Sequence, residues 1–505
     1  MKTYDLIIIG TGGASIVADA AVRAGKRVAV IEKGKFGGTC LTRGCIPTKV
    51  LVTAADSMVE IKEMQTIGIE VGNPTMNWDI VGKRTWEVIN RHEGVRSYYE
   101  EQELVDVYPG LASFKDNHSI VVTYADGTSS DILTATDIVI ATGAKTLNLP
   151  LEGLEEVGYI SSESFFGDKF PKTPYKSIIV LGGGAIATEF SHIFNKAGAK
   201  VTLIQRSAHL LKKEDSDVAD ALMRSLRKQG VDVRTNTKLL RAYQDGDQKV
   251  IVYEDVASGE ILEAKAEEIL LATGIQPETA GLGLENTDIE LLPGGWIKTN
   301  EFLETSVDHV YALGDVNGEA ALRHKANYEA DVLGHNLYVA TSDEELRWAR
   351  YDLVPAVTFT YPQVAHVGLT EKEALAAGYE VGTGINYYAN TAKGFALGMK
   401  EEEKEDAFVK IVVDKKTNNI LGIHAVGPQA SALIQPFINL MNSGETVLTP
   451  IHEEIASERI KAVRAKGLVR TLDPHSVISI GETMTPHPAI QEVIMWTQDF
   501  YEKRW

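Results

Sequence analysis

Asp5-Leu-Ile-Ile-Ile-Gly-Thr-Gly-Gly-Ala-Ser15 is an apolar run that stops at a glycine-rich turn, and Arg27-Val-Ala-Val-Ile-Glu32 resumes as a second apolar run. The residues between have helical character, so the pattern predicts a strand, turn, helix and strand in about 30 residues, the βαβ unit of a dinucleotide site. Gly10 permits the tight turn, and Gly12 and Gly13 keep the backbone open to a pyrophosphate. The helix that follows offers phosphate its free N–H groups and the positive end of its dipole. Glu32 stands where a carboxylate accepts ribose hydroxyl hydrogens. Ser15 replaces the third glycine of G-x-G-x-x-G, and a residue that small still allows close helix–strand packing.

Further along the chain the pattern returns. Ser177-Ile-Ile-Val-Leu-Gly-Gly-Gly-Ala-Ile-Ala187 leads to Lys200-Val-Thr-Leu-Ile-Gln205. Two units imply two dinucleotides. Each is followed much later by an apolar strand ending in Ala-Thr-Gly, Ile138 to Gly143 and Ile269 to Gly274, which points to a duplicated architecture with the second unit inserted into the first domain. In the second unit Gly182, Gly184, Ala185, Ile186 and Gly274 are the backbone positions expected around the nucleotide. The acid is replaced by Gln205, followed by Arg206, with Lys212 and Lys213 beyond. A neutral residue beside an arginine favours the 2′-phosphate of NADPH over the bare ribose of NADH. A solvated surface Arg206 is the plainer alternative.

The bulk properties set outer limits. A chain of 505 residues exceeds one hydrophobic core. A net charge of −20 and pI near 5.1 argue against nucleic acid or anionic membrane as the main partner. The short run Leu6–Ile9 and the lack of any long apolar stretch predict a cytoplasmic protein. Val310-Tyr-Ala-Leu-Gly-Asp315 is a further strand ending at a glycine and an acid. After about residue 350, alternating runs such as Phe408 to Asp414 predict antiparallel strands and a separate α+β domain.

Only two cysteines occur, in Gly37-Gly-Thr-Cys40-Leu-Thr-Arg-Gly-Cys45-Ile-Pro-Thr-Lys49. Pro47 suits the first turn of a helix, which places Cys45 near a helix N-terminus whose dipole favours a thiolate. Lys49 adds positive charge one turn on. A disulfide across so short a loop gains little from loop-closure entropy, so redox exchange is its expected use.

This segment resembles the signature of the class I pyridine nucleotide-disulfide oxidoreductases, which include dihydrolipoamide dehydrogenase, glutathione reductase, mycothione reductase and mercuric reductase. The resemblance extends over both glycine motifs, both Ala-Thr-Gly strands, Gly314-Asp315 and a C-terminal His-Pro-x-x-x-Glu. It implies an α/β fold of two Rossmann-like domains, one for FAD and one for NAD(P), plus an α+β dimerisation domain. The expected bounds are 1–150 for the first part of the FAD domain, 151–276 for the NAD(P)H domain, 277–349 for the return to the FAD domain and 350–505 for the interface domain. By the same resemblance Cys40 is the interchange thiol and Cys45 the thiolate beside the flavin. Lys49 and Glu189 pair near it. Gly38, Thr39, Thr142, Gly143, Asp315, Leu322 and His324 join Gly10, Gly12, Gly13 and Glu32 in holding FAD. His487 and Glu492 form the acid–base pair, acting on the cysteines of the partner in a homodimer. No metal is expected.

Several positions depart from the family pattern. Thr42-Arg43 stands where Asn-Val is usual, and Arg43 either faces a carboxylate-bearing disulfide or faces solvent. Ala20 takes the place of an arginine typical of glutathione reductases. The missing second cysteine pair disfavours mercuric reduction. The link before His487 is lengthened by roughly thirty residues, with a helix-like stretch at 451–464 expected to border the interface active site and shape substrate access. The acidic run Glu401–Asp406 suggests a solvated hairpin tip. The leading expectation is NADPH-dependent reduction of a low-molecular-weight disulfide. NAD-dependent dihydrolipoamide dehydrogenase is the alternative, and a redox-sensing flavoprotein lies further off.

Overall fold

A computed structural model describes residues 1–501, with side chains described to 497. The strands Val105–Tyr108, Val28–Ile31, Lys2–Ile9 and Leu133–Ile140 lie side by side in that order, all parallel, and Val310–Ala312 pairs in parallel with Leu133–Ile140. Leu6, Ile7 and Ile8 are fully buried, as befits parallel strands covered on both faces. A hairpin, Gly110–Asp116 with Ser119–Tyr124, extends this sheet, with Ser119–Tyr124 pairing antiparallel to Leu133–Ile140.

The second unit repeats the order: Asp232–Arg234, Lys200–Ile204, Ser177–Leu181 and Glu268–Leu271, again all parallel. A three-stranded antiparallel sheet, Thr237–Asp245, Gln248–Asp255 and Ile261–Ala266, fills the connection before the last of these strands. The chain enters and leaves the second unit through Ala144–Thr146 and Ile275–Pro277, which hydrogen-bond to each other. The insertion is therefore closed at its neck.

A third, five-stranded antiparallel sheet occupies the C-terminal part, with Gln363–Gly368 beside Ile420–Gly427, then Phe408–Asp414 and Val381–Tyr387. Phe408–Asp414 alternates buried and half-buried residues, the period-two mark of a strand with one covered face. The architecture is thus two Rossmann-type units plus an α+β domain. No helix among the described residues is long and apolar enough to cross a membrane.

Two local expectations need correction. The acidic run does lie in the connection between the strands Val381–Tyr387 and Phe408–Asp414, but it is not simply solvated. It forms a short 3-10 helix, Glu401–Asp406, and Asp406 pairs with Arg224 and Lys228 of the helix Ser216–Lys228. The lengthened link forms a helix at Glu458–Lys466 rather than from 451, because Ser457 caps its N-terminus, and a two-stranded ribbon, Gly444–Val447 with Val469–Leu472, flanks it. Its apolar face (Leu448, Ala456, Ile460, Val463) packs on Phe302, Leu346 and Trp348. Arg464 grips the buried Glu301 with two nitrogens, at 2.6 and 2.8 Å. None of residues 451–480 lines the cavity that this one chain forms, described next. Arg470 of the link and Arg347 both hold Glu482, five residues before His487.

Candidate active site

A cavity of about 500 Å³ runs between the two Rossmann units, a size typical of cofactor sites. Gly10, Gly12, Gly13, Glu32, Gly38, Thr39, Thr142, Gly143, Asp315 and Leu322 line one side. Gly184, Ala185, Ile186, Glu189 and Gly274 line the other, and Cys40, Cys45, Lys49 and His487 lie between. His324, Glu492, Gly182, Gln205 and Arg206 stand outside the lining. The first two support it from behind. Gly182 packs behind the lining against Ala272, while Arg206 is exposed and Gln205 donates to Ser207 Oγ at 2.6 Å.

The turn at Gly10 has φ +101°, and a Cβ there would sit 2.4 Å from the Ala141 carbonyl oxygen, so only glycine fits. Glu32 accepts from the Thr11 amide at 3.0 Å and the Thr11 hydroxyl at 2.7 Å, which fixes its carboxylate at the strand end. Asp315 sits in the short turn Gly314–Asn317. The wholly buried Lys325–Glu329 pair ties that turn down: Lys325 donates to the Gly314 carbonyl and to Asn317, and Glu329 accepts from the Gly314 amide. Burial lifts the Asp315 carboxyl to a pKa of about 6, the field of Lys325 acting against it. The Thr142 hydroxyl is buried with no partner on the protein. A glycine cradle, a carboxylate at the ribose position and polar groups left unsatisfied within a long cleft fit FAD.

Cys45 opens the helix Cys45–Glu63, with Pro47 in its first turn. Both cysteines are free thiols, and their sulfurs and a ring nitrogen of His487 lie within 4.8 Å of one another. The Cys40 thiol hydrogen-bonds the Cys45 sulfur, which drives the Cys45 pKa down, and the charges of His487 and Lys49 add to this against desolvation. The same bond, with burial, drives Cys40 up. Of the two, Cys45 is the one whose surroundings favour the thiolate. Lys49 is fixed by Glu189 at 2.7 Å and lies over the Phe359 ring, while Glu189 also accepts from the Phe359 amide at 2.9 Å.

His487 Nε2 is 2.9 Å from Cys40 Sγ, and its Nδ1 is 2.6 Å from Glu492 Oε1. Burial disfavours the imidazolium, yet Cys45 and Glu492 prevail and hold its pKa at about 9. His324 is buried and kept neutral, its pKa lowered to about 4. Its Nε2–H donates to the Pro355 carbonyl at 2.7 Å, which leaves Nδ1 to accept the His487 backbone N–H at 3.2 Å. The resemblance implied the partner's His487 over these cysteines. Within one chain the same chain's His487 lies beside Cys40, and Glu482, five residues before it, is held by Arg470.

Arg43 lines the cavity, with its Nε buried and unpartnered, so it does not simply face solvent. Arg323, which sequence reasoning passed over, also lines it and draws down the pKa values of both Cys40 and Asp315. Its only sequence signal was its place beside Leu322 and His324.

Comparison with known proteins follows the same lines. The family model described as pyridine nucleotide-disulphide oxidoreductase matches residues 4–330, and that of the family's dimerisation domain matches 354–457. The chain is 31% identical over 502 residues to the dihydrolipoyl dehydrogenase of Bacillus subtilis (strain 168), covering 97% of this chain and 96% of that one. It is 32% identical over 453 residues to the mycothione reductase of Mycobacterium tuberculosis (strain H37Rv), covering 88% and 94%. Among solved structures, a Cu(II) complex of the HOCl-induced flavoprotein disulfide reductase RclA from Escherichia coli superposes with a TM-score of 0.73. It is 25% identical and covers 99% of this chain and 100% of that one.

Proposed function

The chain belongs to the pyridine nucleotide-disulphide oxidoreductases, an FAD-dependent family acting on sulfur groups, and from that premise we propose that it is a homodimeric NADPH-dependent reductase of a low-molecular-weight disulfide. The observation that carries this reading is the Cys40–Cys45–His487 cluster in a cavity shared by both glycine-turn units. FAD, when bound, relays two electrons from the pyridine nucleotide to the Cys40–Cys45 disulfide.

The protein's own groups then do the exchange. Cys40 sulfur bonds to one sulfur of the substrate, and the substrate S–S bond breaks. His487 Nε2 gives its proton to the departing thiolate and regains one from Cys40, a shuttle that an imidazole 2.9 Å from the sulfur can perform. The Cys45 thiolate next attacks Cys40 sulfur, closing the protein disulfide. The second substrate thiolate leaves with the remaining imidazolium proton. Glu492 keeps His487 oriented and favours its protonated form before each proton transfer, and Lys49 stabilises the Cys45 thiolate. Arg43, with a donor unsatisfied in the cavity, suits a substrate bearing carboxylate.

Gln205 and Arg206 support NADPH as the donor. A second reading, NAD-dependent oxidation of a dihydrolipoamide-type dithiol, is favoured by the relatives of that name, which match nearly the whole chain. Anaerobic titration of the holoenzyme with NADPH and with NADH separates the two. Rapid flavin bleaching by NADPH, with a long-wavelength thiolate-to-flavin band, is the expected result. Preference for NADH moves the dithiol reading to the front, and no such band with either donor overturns both.

A further inference from the structure

His366 and His424 face each other across adjacent strands of the C-terminal sheet, Gln363–Gly368 and Ile420–Gly427, in direct register. Their rings stack with centroids 5.6 Å apart. Over the same face lies Glu214, from the loop that leaves the strand Lys200–Ile204 of the second Rossmann unit. Glu214 Oε1 is 2.6 Å from His366 Nδ1, and Glu214 Oε2 is 3.7 Å from His424 Nδ1. Burial works against the carboxylate, yet the two imidazoles keep it ionised, down to a pKa of about 2.

The telling contact is the longer one. His424 Nε2–H donates to the Leu369 carbonyl at 3.1 Å, so Nδ1 is the ring nitrogen left toward Glu214. That nitrogen and Glu214 Oε2 are both buried, both without a hydrogen-bond partner, and lie 3.7 Å apart. His424 itself is fully buried. Two buried, unsatisfied polar atoms at that separation, with His366 Nδ1 beside them, leave a place that one cation could fill. The Leu369 carbonyl also fixes the ring in the manner usual for a metal-ligating histidine.

We propose that Glu214, His366 and His424 form a binding site for one divalent transition-metal cation of the zinc class. The ligand atoms lie within 4.8 Å of one another. Tetrahedral zinc with ligands at 2.0–2.1 Å would space them about 3.3 Å apart. The observed separations of 2.6 and 3.7 Å lie on either side of that spacing, so small side-chain shifts suffice. Two imidazole nitrogens and one carboxylate oxygen select borderline cations such as Zn²⁺, Co²⁺ or Ni²⁺ over Ca²⁺ and Mg²⁺. His366, partly exposed, provides the approach and a position for water. Binding displaces the proton that His366 Nδ1 shares with Glu214. The metal would join the second Rossmann unit to the C-terminal sheet, beside the cluster in which Lys410 meets Asp215, Asp217 and Glu371.

The test uses chelator-treated, fully oxidised holoenzyme, whose Cys40–Cys45 disulfide offers no thiolate. Titration with Co²⁺ at pH 8 should saturate at one equivalent with a visible d–d band, and one equivalent of Zn²⁺ should displace it and raise the Tm. His366→Gln and the isosteric Glu214→Gln should each weaken binding at least 100-fold, while a Cys40→Ser/Cys45→Ser variant binds as the parent does. Two variants at different ligands keep the test open should one of them fail to fold. Absence of a band and of a Tm shift overturns the proposal. So does a band that survives both ligand variants, or one that disappears with the cysteines.

Discussion

At Gly10 an added Cβ would lie 2.4 Å from the Ala141 carbonyl oxygen, and at Gly182 it would lie 2.2 Å from that of Ala272. Both glycines sit at positive φ, +101° and +123°, and both turns are backed by the Ala-Thr-Gly strand of their own unit. The two turns are nearly one object made twice. What differs is the end of the next strand. Glu32 is locked onto Thr11, whereas Gln205 lies across Gly183 and accepts the Arg206 amide at 3.1 Å. On the proposed reading, the shared part places a pyrophosphate and the unshared residue selects the ribose.

The largest effect should come from breaking each turn in isolation. Gly10→Ala adds strain of about 1–3 kcal/mol from the backbone angle alone, before the clash with Ala141. The protein should purify without flavin and without activity. Gly182→Ala should remain yellow yet no longer bleach with NADPH under anaerobic conditions. If both variants lose flavin, the two turns do not serve separate cofactors.

Gln205→Glu gives the second unit the first unit's acid. The ratio of kcat/KM for NADPH over NADH should fall about 100-fold, close to 2.8 kcal/mol. An unchanged ratio would remove Gln205 from the specificity reading.

Only the first unit leads on to thiols, and a pH profile should show what that adds. His487 carries its proton below about pH 9 and loses it as pH rises through that value. Glu492→Gln removes an anion that holds the proton, so the alkaline limb of kcat should move to lower pH, about tenfold in rate for each unit moved. Because the folded pKa is raised, the stability due to the pair is complete below pH 6.5 and gone above 9. The variant should therefore lose more Tm at pH 6 than at pH 10. An unmoved limb would free Glu492 of its role.

The smallest effect belongs to Arg206→Ala. An exposed cation is screened by salt, so the KM for NADPH should rise about three- to tenfold at low ionic strength and less at high, with the KM for NADH unmoved.

What was legible in the sequence was whatever is written within a short span. The glycine turns, the five-residue cysteine spacing and the proline after Cys45 carry their own geometry. Lys49 and Glu189, 140 residues apart, were found only through the family resemblance. The supports that no spacing announces were not visible. Lys325 and Glu329 look like an ordinary exposed helix pair until burial shows them anchoring Asp315. Phe359 reaches Lys49, and His324 orders the His487 amide, through strands and turns that only the fold brings together. The helix in the long link was correct in kind and displaced in position, since its periodicity could be read but its docking on Trp348 could not.

One contact bears on inheritance. Cys40 and His487, 2.9 Å apart, are here contributed by the same polypeptide. Where that holds, damage stays private to the subunit that carries it. A subunit with Cys45→Ser, assembled with one carrying His487→Ala, cannot rescue it, since each site keeps a defect of its own. Exchange of the segment between subunits would leave one of the two sites whole. Two recessive lesions in trans would then complement under the exchanged arrangement and fail to complement under this one, and growth on a disulfide stress would score the outcome.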